Sequence, residues 1–245
     1  MTPEKSPESL RLGGWAAGRL GGAAGGVPGR RRRAGDRVVG PPQSYKLEIK
    51  RALVHDGTMT KIAIITGSTR PNRLNRQVAD WVLERANGRG NAAEYELVDI
   101  ADFDLPLLDE PMPAAWQQYT NEHTKAWSAK IAEFDGFVFV TPEYNHSLAP
   151  ALANALSYLN AEWANKAAGI VGYGSAMGVR ATEHLRAILS ELQVAHVQKH
   201  GMFSLFTDFK DFAEFQPTEL QAASVDPMFD QLLSWTEAMK TVRQG

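Results

Sequence analysis

Cysteine is absent from this chain of 245 residues. Without a thiol there is no disulfide framework, no thiolate zinc site, no cysteine-ligated iron–sulfur cluster and no cysteine nucleophile. Long apolar runs are also missing, since no stretch approaches the ~18–20 residues that a helix needs to span a bilayer. The absence of cysteine fits a reducing compartment, and the absence of a spanning run argues against a membrane segment. We therefore expect a cytoplasmic protein that has no membrane partner.

Charge and glycine are unevenly distributed along the chain. Residues 1–58 hold 11 of the 26 lysines and arginines, 5 of the 28 acidic residues and 11 of the 21 glycines. The two parts therefore carry net charges of +6 and −8, which the overall charge of −2 conceals. Few large apolar residues and no periodicity predict a disordered Gly/Arg/Pro-rich leader over residues 1–58. The remainder, residues 59–245, is predicted to form one domain.

The leader contains an arginine cluster, Arg30–Arg33. Such a cluster can contact nucleic acid, but its setting among glycines and prolines is typical of a solvated tail. No apolar segment follows it, as a secretory signal would require. We expect no nucleic-acid partner. Residues 45–54 alternate weakly and allow a short strand.

From Lys61 onward, short apolar runs alternate with longer helical patterns. The runs are typical of strands buried on both faces of a parallel sheet, and apolar residues at i, i+3 and i+4 indicate helices between them. The predicted strands are Lys61–Thr66, Ala93–Asp99, Gly136–Thr141, Ala167–Tyr173 and Val194–Gln198. Helical stripes pass through Val78, Trp127, Leu152, Leu185 and Leu232. This alternation predicts a doubly wound, five-stranded parallel α/β sheet with helices on both faces.

Ligands of such sheets bind beyond the carboxyl ends of the strands. The first strand is followed by a small-residue turn, Gly67-Ser68-Thr69-Arg70, and then by Arg73 and a helix. Hydroxyls, arginines, exposed N–H groups and the helix N-terminus together are typical of a phosphate cradle. The turn matches neither a Walker loop nor a dinucleotide fingerprint. The alternative is an ordinary strand–helix turn with solvated arginines.

Two further loops carry suitable chemistry. The sequence Pro-Glu-Tyr-Asn over residues 142–145 follows the third strand, and a planar heterocycle can lie against such a rigid aromatic turn. The fourth strand runs into Tyr173-Gly174-Ser175, where glycine allows close approach of the backbone to a ligand. Taken alone, the first of these is also explained as a loop that caps a helix.

Metal and hydrolase chemistry find little support. His196 and His200 are four residues apart, but His196 lies on a predicted strand, where that spacing separates side chains by ~13 Å. Neither Ser68 nor Ser175 has the flanking glycines of a nucleophile elbow. We expect no metal. His146 follows the third-strand turn and is interpreted as a helix-cap or surface residue, with a place beside the ligand as the alternative.

The ordered pair GSTR and PEYN, followed by the glycine-rich turn, resembles the NAD(P)H-dependent FMN reductase family, which includes quinone, azo-dye and chromate reductases. The resemblance covers roughly residues 61–198 and implies a flavodoxin-like fold with bound FMN. It places the phosphate in the first loop, the flavin and ribityl chain along PEYN, and the pyrimidine edge at the fourth-strand turn. The cofactor-binding residues that it implies are Ser68, Arg70, Arg73, Asn75, Pro142, Glu143, Tyr144, Asn145, Tyr173, Gly174 and Ser175.

The resemblance also implies an activity. Hydride passes from NADPH or NADH to flavin N5, and a small-molecule acceptor such as free flavin, a quinone or an azo compound then takes two electrons. Because the cofactor performs this chemistry, we assign no catalytic residue. The family commonly forms homodimers or homotetramers.

Two departures from the family pattern stand out. Arg73 occupies a position that is often serine, where it can replace the hydroxyl as a phosphate ligand or point to solvent. The turn at Gly178-Val179-Arg180 has one glycine where a pair is common. Three alternatives remain at this point: a flavodoxin-type electron carrier, a dedicated biosynthetic FMN dehydrogenase, and a domain that has lost FMN.

Overall fold

The structure, a computed structural model, describes residues 59–90 and 92–244. The predicted leader and the weak strand over residues 45–54 lie outside the described residues. The strands are β1 (Lys61–Thr66), β2 (Glu94–Asp99), β3 (Gly136–Tyr144), β4 (Ser147–Leu148), β5 (Ala167–Gly174), β6 (Ala195–His196), β7 (Gly201–Ser204), β8 (Phe209–Lys210) and β9 (Glu214–Phe215). The helices are α1 (Asn75–Asn87), α2 (Glu122–Ala132), α3 (Pro150–Ser157), α4 (Val179–Glu191), α5 (Glu219–Ser224) and α6 (Asp226–Gln244).

The central sheet has the order β2-β1-β3-β5-β6, and every pair along this path is parallel. Short strand β7 also pairs with β5 in parallel, and β4 adds an antiparallel hairpin to the end of β3. The predicted doubly wound, flavodoxin-like sheet is thus confirmed. Strands β1, β3 and β5 lie side by side, so the loops that follow them meet at one edge.

Two strand predictions need correction. Strand β3 does not end at Thr141 but continues to Tyr144, because Pro142 lies opposite Tyr173 on β5 and its missing N–H is tolerated there. The predicted strand Val194–Gln198 is shortened to β6, and β7, which was not predicted, pairs with a later part of β5. The polar residues between them, Gln198–His200, interrupt the edge strand.

The core has two layers, one on each face of the sheet. Successive side chains of a strand point to opposite faces. Phe137 and Phe139 of β3 accordingly pack with the buried Trp127 and Trp163 on one face. Val138 lies in the other layer, together with residues of α1 and α6. Among the described helices, none has the length and apolar character needed to cross a membrane.

Candidate functional site

The loop after β1 is held from inside the protein by Asn75, the first residue of α1. Its Oδ1 accepts hydrogen bonds from the Gly67 N–H at 2.9 Å and the Ser68 N–H at 3.3 Å, and its Nδ2 donates to the Val140 carbonyl at 2.9 Å. The side chain is fully buried. Asn75 was predicted to bind the cofactor, but its amide is occupied by the backbone, so it supports the loop from beneath.

Ser68 lies directly above this support. Ser68 is only 1% exposed. Its Oγ lies 3.2 Å from the Tyr144 hydroxyl and accepts a hydrogen bond from the Arg70 N–H at 3.3 Å. A side chain at Gly67 would place Cβ 2.6 Å from the Val140 carbonyl oxygen. The loop therefore depends on glycine at residue 67. The contact between the Ser68 and Tyr144 hydroxyls connects this loop to the PEYN segment.

Three arginines of this loop and α1 have different environments. Arg70 is exposed and has no side-chain partner in the described part of the chain. Arg73 forms an ion pair with Asp99 at the end of β2, and Arg76 reaches the same carboxylate at 3.4 Å. The Nε of Arg73 is buried without a partner. Arg73 therefore does not point freely to solvent. Its guanidinium is already paired with the Asp99 carboxylate, so a bound anion would share Arg73 with Asp99.

Asp99 is a buried carboxylate that belongs to the same cluster. Burial alone would raise its pKa, but hydrogen bonds from the Ala101 N–H, the Thr66 hydroxyl and Arg73 outweigh burial and hold the pKa below its usual value. Asp99 is therefore ionised at neutral pH and balances one arginine. The loop keeps a net positive charge through Arg70, which suits an anion.

The PEYN segment forms a β-hairpin rather than the rigid loop that the sequence predicted. Residues Pro142–Tyr144 continue β3, and the turn is made by Asn145 and His146, whose φ angles are 49° and 65°. Two consecutive left-handed residues in a two-residue hairpin loop are typical of a type I′ turn. The hairpin turns Tyr144 toward the first loop and leaves Asn145 exposed.

Glu143 ties this hairpin to the N-terminus of α4. Its carboxylate accepts from the Arg180 N–H at 3.1 Å and from Arg180 Nε at 2.6 Å. Burial alone would raise the pKa of Glu143, but these bonds to Arg180 hold it below its usual value. Arg180 Nη1 also donates to His146 Nε2 at 2.8 Å. His146 is therefore an exposed side chain that helps fix the hairpin.

The turn after β5 is tightly packed. The Gly174 carbonyl accepts from the Met177 N–H and from the Leu205 N–H, each at 3.1 Å. A Cβ at Gly178, whose φ is 70°, would lie 2.4 Å from the Tyr173 nitrogen. Such overlap with backbone leaves no space for a side chain at residue 178. Ser175 stands exposed at the outside of this turn.

Tyr173 closes the inner side of the site. It is almost fully buried, and its ring lies 5.6 Å from that of Phe209. Burial and the proximity of Tyr144 raise its pKa far above the usual value, so the phenol stays protonated at neutral pH. Tyr173 therefore offers a hydrogen-bond donor and an aromatic surface rather than a proton-transfer group.

These loops enclose a cavity of about 320 Å³. Predicted site residues in its wall are Arg70, Arg73, Pro142, Glu143, Tyr144, Tyr173 and Gly174, whereas Ser68 and Asn75 lie beneath it and Asn145 and Ser175 stand outside. Sequence reasoning missed Asn72, Leu74, Gln77, Leu205, Phe212 and Ala213. The first three follow directly after the GSTR motif but are not part of it. The last three lie in a stretch rich in phenylalanine, residues 203–215, which was the only signal that the sequence offered for them.

The cavity fits the FMN that the resemblance implies. Helix α1 begins without a side-chain cap and without an acidic residue in its first turn, so its N-terminus is free to face a phosphate beside Arg70. Tyr144 and Tyr173 provide aromatic surface for a flavin ring, and Gly174 admits close approach. Within the described residues no group of three potential metal ligands occurs.

Comparison with known proteins shows the family of the chain. The model of a family described as NADPH-dependent FMN reductase matches residues 60–208. The chain is 45% identical over 158 residues to the NAD(P)H-dependent FMN reductase ntnL of Nectria sp, covering 61% of this chain and 79% of that protein. It is 32% identical over 147 residues to an NAD(P)H:quinone oxidoreductase of Solanum tuberosum, covering 58% of this chain and 74% of that protein.

A solved structure supports the fold. FerB, a flavoenzyme NAD(P)H:(acceptor) oxidoreductase of Paracoccus denitrificans, superposes with a TM-score of 0.55 at 20% identity, covering 74% of this chain and 99% of that one. The resemblance inferred from GSTR and PEYN is confirmed by the family match, and with it the FMN and NAD(P)H dependence that defines the family. The chain belongs to the NADPH-dependent FMN reductase family.

Proposed function

We propose that the protein uses NAD(P)H to reduce FMN held in the cavity and then reduces a small-molecule acceptor, such as a quinone, free flavin or an azo compound. The observation that carries this proposal is the continuity of one cavity from Arg70 and the α1 N-terminus to Tyr144 and Tyr173. That span joins an anion site to an aromatic site, as a flavin nucleotide requires. The family match and a relative named as a quinone oxidoreductase support it.

The residues divide between direct contact and support. We assign Arg70 and the N-terminus of α1 to the FMN phosphate. We assign Arg73 to the same phosphate as well, with its guanidinium shared between the phosphate and Asp99. Pro142 and Tyr144 flank the flavin. Bound FMN supplies hydride acceptance from NAD(P)H and two-electron delivery to the acceptor.

The protein's own contribution is binding and orientation. Glu143 is committed to Arg180, and Tyr173 keeps its proton, so neither is available for acid–base work at neutral pH. The Glu143–Arg180 pair fixes the hairpin that carries Tyr144. We therefore assign no catalytic residue and attribute the effect of the hairpin to positioning.

Steady-state kinetics test the proposal. With FMN-loaded protein, NADPH oxidation in the presence of a quinone is expected to follow ping-pong kinetics, because the oxidised donor leaves before the acceptor takes the electrons. Intersecting double-reciprocal lines would contradict two separate half-reactions. Absence of NADPH oxidation would instead indicate an electron carrier that needs a partner protein to reduce it.

We further propose that the protein assembles as a homodimer or homotetramer in the cytoplasm. The connection between β2 and α2 carries apolar side chains in water, among them Leu107 at 84% and Trp116 at 59% exposure. Exposed apolar side chains along one segment support burial against another copy. Light scattering is expected to give a mass of two or four chains, and cell fractionation is expected to find the protein in the cytoplasm. A monomer mass, or the protein in another fraction, would overturn the respective proposal.

A further inference from the structure

The segment after β7 forms a wall of the cavity. Residues 205–215 run from the end of β7 through the β8–β9 hairpin, and Leu205, Phe212 and Ala213 line the same cavity as Tyr144. The family match ends at residue 208, so the hairpin lies beyond the part that this chain shares with the family model. Features of this hairpin are therefore candidates for what distinguishes this chain.

The inner side of the hairpin is firmly anchored. Phe215 packs against Phe209 and Phe203, with ring centroids 4.9 Å apart in both pairs. Gln77 of α1 donates to the Ala213 carbonyl at 2.9 Å and accepts from the Phe215 N–H at 3.0 Å. These contacts give the hairpin a defined position against α1.

Asp208 holds the base of the hairpin. Its carboxylate accepts from the Ser204 N–H at 2.8 Å and from the Thr218 N–H at 2.9 Å, and its carbonyl accepts from the Gln216 N–H at 2.8 Å. Asp208 is fully buried. With both ends and one face fixed, the tip of the hairpin is held at the cavity.

The outer side presents two phenylalanines to water. Phe206 is 67% and Phe212 60% exposed, and their rings meet edge to face at 5.9 Å. Phe212 also has a φ of 56°, a left-handed conformation that a bulky residue adopts only at a cost. Glycine or asparagine would satisfy this turn more easily. A strained, exposed aromatic ring at a cavity mouth points to a role in binding.

We propose that Phe212, braced edge-on by Phe206, forms the outer wall of the cavity and binds a planar aromatic electron acceptor by stacking. The inference rests on the proposed function, because the acceptor enters a cavity that holds FMN. Exposure separates the two ligands. The resident cofactor belongs to the buried inner side of the cavity at Pro142 and Tyr173, whereas a ligand that exchanges with solvent meets the exposed rim. Offset or edge-to-face contact between aromatic rings supplies the attraction.

The test uses Phe212→Asn in the FMN-loaded full chain, since asparagine removes the ring and tolerates the left-handed turn. The oxidative half-reaction is followed by stopped flow with 2-methyl-1,4-naphthoquinone as the planar probe and ferricyanide as the probe without an aromatic ring. We expect a rise of about 3- to 10-fold in the concentration of naphthoquinone needed for half-maximal rate. Ferricyanide rates, FMN affinity and the rate of reduction by NADPH should stay the same.

Two further variants complete the design. Phe206→Ala should give a smaller change in the same direction, because it removes the brace and leaves the stacking ring. Leu220→Ala, at an exposed apolar position on α5 outside the cavity wall, serves as the matched control and should behave as wild type.

Several results would overturn the inference. An unchanged naphthoquinone dependence, or an equal loss with ferricyanide, would remove the stacking role of Phe212. Weaker FMN binding or slower reduction by NADPH in Phe212→Asn would assign the ring to the cofactor or the donor. A changed oligomeric mass would assign the rim to a second copy of the chain. If the wild-type protein itself binds no FMN, the proposed function fails and the inference fails with it.

Discussion

At the scale of single residues, the arginines of the first loop differ in what they contact, and this difference predicts distinct consequences. Arg70 has no partner among the described residues, so Arg70→Ala should weaken FMN binding without lowering stability. A hydrogen bond to a charged group contributes about 1.5–3 kcal/mol, which corresponds to a roughly 10- to 100-fold rise in Kd. Quenching of flavin fluorescence measures the Kd, and a denaturant titration measures the stability.

Two other variants control for charge. Lys125→Ala removes an exposed positive charge from α2, far along the chain from the loop, and should leave FMN affinity unchanged. Arg73→Ala should lower both affinity and stability, because it also leaves the buried Asp99 carboxylate without its main partner. Equal FMN affinity in Arg70→Ala and wild type would show that Arg70 does not hold the phosphate.

Two glycines with positive φ allow the cost of a left-handed backbone to be compared with the cost of steric overlap. Gly90 has a φ of 92° and open space within 4 Å of an added Cβ, whereas Gly178 has a φ of 70° and a Cβ position 2.4 Å from the Tyr173 nitrogen. Gly90→Ala should cost about 1–2 kcal/mol of unfolding free energy, the cost of the conformation alone. Gly178→Ala should cost clearly more and should also weaken FMN binding. Equal losses in the two denaturant curves would contradict the packing of the β5 turn.

At the scale of elements, Glu110 connects the segment after β2 to the start of α2. Its carboxylate accepts from the Thr120 N–H at 2.9 Å and from the Asn121 N–H at 3.0 Å. Burial alone would raise the pKa of Glu110, but these bonds lower it from 4.5 to about 2. The ionised form is therefore favoured by folding, and the stability that it contributes is complete above pH 4.5 and is lost as the pH falls toward 2.

Glu110→Gln tests this pH dependence. The variant should be less stable than wild type at about pH 6, and the difference in unfolding free energy should shrink at about pH 3, where the Glu110 carboxyl is largely protonated in the unfolded chain and has to lose its proton on folding. Urea titrations at the two pH values measure it. A difference that stays constant between the two would contradict the bonds assigned to Glu110.

Elements with strong local patterns were predictable from the sequence, and those fixed by distant contacts were not. Strand β1 was predicted with its observed bounds because its apolar run is continuous. The end of β3 was missed because Pro142 argues against a strand, and only its pairing with β5 explains it. Strands β8 and β9 have two residues each, too few for a recognisable alternation.

The site followed the same rule. The GSTR and PEYN motifs located the cavity because their residues are adjacent in sequence. The ion pair of Arg73 with Asp99 was missed, since 26 residues separate the partners and either residue alone suggests a solvated charge. The assignment of Asn75 to direct ligand contact differs from the buried support that the structure describes, because hydrogen bonds to the backbone leave no trace in a motif.

At the scale of the whole molecule, the chain has a basic part, residues 1–58, and an acidic part, residues 59–245. The described residues form a complete sheet with both faces covered, and the family match begins at residue 60. Deleting residues 1–58 should therefore leave the melting temperature and the FMN affinity unchanged. Thermal melts and flavin titrations of the full and shortened chains measure this. Loss of FMN binding in the shortened chain would make the leader part of the cofactor site.

The proposed function requires that the cavity at the carboxyl edge of the sheet holds one FMN and that NADPH reduces it. The most direct measurement is the visible spectrum of the purified full chain after incubation with FMN and gel filtration, before and after anaerobic addition of NADPH. We expect the protein to retain about one FMN per chain, and we expect NADPH to bleach the flavin absorption. A colourless protein after gel filtration, or a bound flavin that NADPH leaves oxidised, would contradict the proposed function.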